Sequence, residues 1–142
     1  MLPKVSGLTT HLRSRCKDLR FLSMKDSSRG RGETKDCSVI SMALIVGITY
    51  DESHALFAKC GRLFRHGTSA KKVDGVFYEL GIKRKRTNVE GMTFQTILCT
   101  LKPEGKYLLI SKRHSAAVIN RKIVDWSDNE DKDVIQLVEI LL

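Results

Sequence analysis

Aromatic side chains make up only 6% of this 142-residue chain, too few to build the stacking platforms on which single-strand and RNA readers hold bases. No apolar run reaches the roughly 18 residues that a membrane helix needs, and Met1 to Leu8 hold no uninterrupted apolar segment followed by a small-residue cleavage site. A soluble, cytoplasmic protein that does not enter a membrane is the expectation. Cys16, Cys37, Cys60 and Cys99 are scattered, with no C-x-x-C pair, in a chain long enough to fold without covalent staples. Free thiols follow, with no metal and no cofactor expected.

What the chain has in excess is positive charge, a net +9 with a pI near 9.6. Residues 1–35 carry nine Lys or Arg against Asp18, Asp26 and Glu33, and a second knot is Lys83-Arg84-Lys85-Arg86. Clustered bases are the electrostatic footprint of phosphate or of an acidic partner. These four residues are therefore candidate contacts for nucleic acid or an acidic protein, although a solvated basic surface is the better explanation.

The hydropathy pattern divides the chain into helices first and strands after. Leu8 to Met24 is a short amphipathic stretch, and Ser27 to Gly32, rich in Ser, Gly and Arg, reads as a loop. Cys37 to Val46 is apolar nearly all round and longer than an ordinary strand, so a central buried helix is predicted, capped by Asp36 and ended by Gly47. Thr49 and Glu52 offer a capping box for a helix over 51–60, and Thr68 or Ser69 can cap a helix that carries Val73, Val76, Phe77 and Leu80 and stops at Gly81. The basic knot and 88–91 read as a loop, and Thr93 to Leu101 as a short helix. Tyr107–Ile110, Ser115–Ile119, Lys122–Asp125 and Val134–Ile140 are strand-length and β-rich, with short gaps that suggest antiparallel hairpins. An α+β domain is the result.

Cys37 heads the apolar helix, and His114 and Asp125 stand in consecutive strands eleven residues apart. A thiol attacks as thiolate, which the positive end of a helix dipole and a neighbouring imidazolium both stabilise. An imidazole is held in the right tautomer by a carboxylate. On composition alone, a cysteine in an apolar helix is also well explained as core. His66, in a loop beside Gly67, is a competing base.

The segments DCSVISMAL and RHSAAVINRKIVDW, in that order, resemble the nucleophile helix and the His and Asp strands of the papain-like cysteine peptidase superfamily. The likeness is to its compact bacterial and phage members, including bacteriocin-processing peptidases. The middle, GITYDESHALFAKCGR followed by HGT, is also similar to small phage-encoded proteins of the superfamily, and the resemblance spans about residues 33–140. It implies a papain-like domain over 33–142, with a central Cys-bearing helix packed on a C-terminal antiparallel sheet, after a basic, partly flexible segment over 1–32. It also implies Cys37 as nucleophile, His114 as base and then acid, and Asp125 as the group that orients the imidazole.

One feature departs from the pattern. The family supplies a Gln or similar amide a few residues before the nucleophile to stabilise the oxyanion, and no Asn or Gln precedes Asn88 here. Arg31, Thr34 or Lys35 must substitute, or hydrolysis is weak or absent. The expected function is hydrolysis of an amide or isopeptide bond in a protein or peptide, in a bacterium or in the host cytoplasm if the chain is phage-encoded. Cell-wall endopeptidases also open their helix with Asp-Cys-Ser, but their usual next residue, Gly, is Val39 here. The alternatives are a non-catalytic papain-like scaffold that binds a host protein, and a nucleic-acid binder that uses its basic segments.

Overall fold

The structure, a computed structural model, describes residues 18–112, 114–124 and 134–141. The described residues form five helices, α1 (Leu19–Gly30), α2 (Cys37–Val46), α3 (Tyr50–Lys59), α4 (Ala70–Leu80) and α5 (Phe94–Thr100). They also form five strands, β1 (Lys83–Asn88), β2 (Lys106–Ser111), β3 (His114–Ile119), β4 (Lys122–Val124) and β5 (Val134–Leu141), so the class is α+β. No described helix is long and apolar enough to cross a membrane.

Local chemistry explains the helix ends. Gly47 closes α2 at φ 83° with its N–H on the Ala43 carbonyl, a left-handed cap that a side chain would strain. The capping box at α3 is complete: Thr49 accepts from the Glu52 N–H and Glu52 accepts from the Thr49 N–H, each at 3.0 Å. At α4 the cap is Ser69, not Thr68.

The five strands form one open antiparallel sheet in the order β1-β5-β2-β3-β4. The β3–β4 hairpin turns through Asn120 and Arg121, both at positive φ (54° and 60°), which is the two-residue turn whose twist matches the strands. Arg121 is a costly residue in that conformation, and its guanidinium is anchored on the Leu101 carbonyl at 2.8 Å.

Both faces of the sheet are covered. Leu108, Ala117, Val138 and Ile140 pack with α1 to α4, while Leu109, Val118, Val134 and Leu137 pack with Ile97 and Leu101 around α5. Double coverage is why the strands read as continuous apolar runs instead of alternating ones. The central helix α2 lies against β3 and β2 on one side and against α1 and α3 on the other. Ser38 through Ile45 are all buried.

Two expectations are corrected. Residues 27–30 continue a helix rather than a loop, and that helix places Phe21, Leu22 and Met24 in the main core. Lys83 to Arg86 lie in the edge strand β1 rather than a loop. Charge along an edge strand discourages pairing with another chain, and the register with β5 is set by Leu137, Val138 and Ile140, which local propensity at the basic knot could not reveal.

Candidate active site

α2 approaches the sheet with its first turn beside the head of β3. Ser38 Oγ donates to Ser115 Oγ at 3.2 Å and Ser41 Oγ donates to the Ser115 carbonyl at 3.1 Å, both buried. These bonds fix the position of the helix along the strand. Cys37 and His114, the residues immediately preceding Ser38 and Ser115, both line one cleft of about 710 Å³, together with Lys25, Lys35, Asp36 and Thr68. Cys37 is half-buried and not in a disulfide, and His114 is half-buried at the first position of β3, paired with Ser111. Asp125 and Cys16 lie outside the described residues.

Asp36 occupies the cap position of α2, but its side chain makes no capping bond. Its backbone, at φ −103° and ψ 27°, leaves the extended conformation that a capping carboxylate needs. The buried carboxylate accepts instead from the Tyr50 hydroxyl at 2.7 Å. Burial, then the bond to Asp36 and its charge, push the Tyr50 pKa up, so the phenol stays a donor. The amides of the first turn of α2 are thus left without a side-chain cap, and a negative charge sits one residue before Cys37. The first effect favours a thiolate and the second opposes it.

The segment ahead of Cys37 is held by a buried ionic hub. The Glu33 carboxylate accepts from Arg62 Nη1 at 2.8 Å, Arg62 Nη2 at 3.1 Å and the Arg65 N–H at 3.0 Å, and contacts His54 Nε2 at 2.6 Å. Burial alone would raise its pKa, but the bonds from Arg62, His54 and the Arg65 amide outweigh burial and lower it to about 2. Arg62 also donates to the Thr34 carbonyl at 3.2 Å, and Arg65 to that of Gly32 at 2.7 Å. The loop 31–36 is thereby tied to α3 and to the loop 61–69.

Of the three residues proposed to replace the missing amide, only Lys35 reaches the cleft, with its backbone at φ 56°. Arg31 is exposed and paired with Asp51 at 2.7 Å, and exposed Thr34 is tied through its backbone to Glu33 and Arg62. His66 is exposed, with Nδ1 2.9 Å from the Phe64 carbonyl oxygen, and does not line the cleft. Arg84 and Arg86 are partly engaged by Asp74, at 3.3 and 2.6 Å, while Lys83 and Lys85 are exposed. Among the described residues no three His, Cys, Asp or Glu side chains gather to hold a metal.

One functional candidate escaped the sequence. Thr68 lines the cleft, and its Oγ1 is buried without a hydrogen-bond partner among the described residues. The tandem Thr68-Ser69 carried the only signal, since one helix has one cap and the other hydroxyl must find different work. No family model, curated protein or solved structure matches this chain.

Proposed function

We propose that the protein is a cysteine hydrolase on a papain-like scaffold, acting on an amide or isopeptide bond. The observation that carries this reading is that Cys37, at the amino end of the buried helix α2, and His114, at the head of β3, line one cleft whose walls are joined by the Ser38–Ser115 hydrogen bond. In the proposed cycle Cys37 Sγ, having given its proton to the His114 imidazole, attacks the carbonyl carbon. The carbonyl pair moves onto oxygen, and collapse expels the amine with the proton from His114. Water, deprotonated by His114, then attacks the thioester, releasing the acid and restoring the thiol. Asp125 takes the role of orienting the imidazole.

Lys25 and Lys35 on the cleft wall favour an acidic protein or peptide substrate in a cytoplasmic setting. Engagement of Arg84 and Arg86 by Asp74 weighs against a nucleic-acid surface at β1.

The test is the pH profile of Cys37 alkylation by iodoacetamide, followed by peptide mapping. An ordinary thiol with pKa near 8.5 loses roughly 100-fold or more in rate between pH 8.5 and pH 6, whereas a thiolate stabilised by imidazole loses only a few-fold. We expect the flat profile for Cys37, and conversion of Cys37 to steep behaviour by His114→Ala. A steep wild-type profile that His114→Ala leaves unchanged excludes the hydrolase.

A further inference from the structure

We infer that the Thr68 hydroxyl is the oxyanion donor that takes the place of the missing upstream amide. The inference rests on the hydrolase reading and adds a further catalytic group from the residues that line the same cleft.

A buried hydroxyl normally finds a partner, and one left without any calls for an explanation. Thr68 Oγ1 has none among the described residues, and Thr68 lines the cleft that Cys37 also lines. The usual employment of a hydroxyl at this point in the chain, capping the next helix, is taken by Ser69, which accepts from the Lys72 N–H at 3.3 Å. The Thr68 hydroxyl, committed to no bond in this rotamer, is presented to a substrate oxygen in the cleft by rotation about the Cα–Cβ bond.

The position of Thr68 relative to Cys37 is also held. Its loop is anchored by Arg62 and the Arg65 amide on Glu33, four residues before Cys37, and by Arg65 Nε on Gly32. Donors that stabilise a developing oxyanion work by being fixed before the charge appears, and this anchoring gives the cleft that property. When the Cys37 thiolate bonds to the carbonyl carbon, the electron pair displaced onto oxygen meets the Thr68 O–H, which donates a hydrogen bond without transferring its proton. Collapse of that oxyanion returns the pair to carbon and expels the leaving group.

Two probes separate this role from activation of the thiol. Iodoacetamide is attacked at a saturated carbon and forms no oxyanion, whereas p-nitrophenyl acetate acylates Cys37 through one and releases p-nitrophenolate. Thr68→Val removes the hydroxyl at equal shape, and Thr68→Ser keeps it. Thr68→Val is expected to slow the acylation burst by about 10²-fold, to leave the alkylation rate and its pH profile within twofold, and to melt no lower than wild type, because the hydroxyl has no partner to lose. Thr68→Ser should acylate within a few-fold of wild type. Thr68→Ala gives the same test should the valine variant not fold.

Equal acylation by wild type and the valine or alanine variant overturns the inference while leaving the hydrolase reading in place. A parallel loss of acylation and alkylation also overturns it, since Thr68 would then act on the thiolate. A wild type whose alkylation profile is steep and which gives no acylation removes the hydrolase reading, and the inference falls with it.

Discussion

Replacing Arg62 by Met tests the hub that holds the loop ahead of Cys37. The Arg62 and Glu33 side chains are 2% and 0% exposed, so methionine fills the space of the stem but leaves a buried carboxylate with no cationic guanidinium, served by His54 and the Thr34 and Arg65 amides. Removing one partner of a buried pair costs about 3–5 kcal/mol. For 142 residues, an unfolding entropy of about 2.1 cal/mol/K per residue converts that into a fall in melting temperature of roughly 10–17 °C.

The pH dependence gives an independent magnitude. The folded Glu33 pKa lies at about 2, below its ordinary 4.5. A depressed carboxylate pKa contributes stability that is present above the ordinary value and lost as pH falls through it toward the folded one. The gap corresponds to roughly 3 kcal/mol, so most of this contribution should disappear between about pH 5 and pH 2. Urea unfolding followed at pH 7 and pH 3 in wild type and Arg62→Met measures both effects. The variant should be less stable at pH 7 and should lose less than wild type on acidification. A cost under 1 kcal/mol at pH 7, or an unchanged acid dependence, refutes the assignment of Glu33 and Arg62 as the anchor of this loop.

The remaining predictions concern the charge beside the cysteine and the centre of the core. Asp36→Asn keeps an acceptor for the Tyr50 hydroxyl but removes a negative charge one residue from Cys37. It should move the alkylation profile of Cys37 to lower pH by up to about one unit, and a shift upward or none would show that this carboxylate does not act on the thiol. Met42, fully buried at the middle of α2, should cost about 2–5 kcal/mol when cut back to alanine, read by urea unfolding; a cost near zero would mean that α2 is not the central packing element.

The limits of what the sequence shows follow the range of the interactions. The Thr49–Glu52 capping box, the Gly47 and Gly81 helix ends and the period change after Pro103 act within a few residues, and each produced an element where it was expected. Propensity misled at Ser27 to Gly30 and at the basic knot. In both places distant partners decided the conformation: the core for Phe21, Leu22 and Met24 in one case, the β5 ladder in the other.

The candidate site divides in the same way. That Cys37 begins a buried helix and His114 a strand was legible, because caps, apolar periodicity and β-branched content are local. Asp36 was expected to cap and does not, because a tyrosine 14 residues away takes its carboxylate. The anchoring of Glu33 by Arg62 over 29 residues, and the docking of Ser38 on Ser115 over 77, depend on packing that no short window contains. So does the idle hydroxyl of Thr68. The sequence by itself determined most of the elements and named Cys37 and His114 as candidates; only the tertiary structure decided which side chains meet, because a buried polar group takes the partner that packing brings to it, wherever that partner lies in the chain.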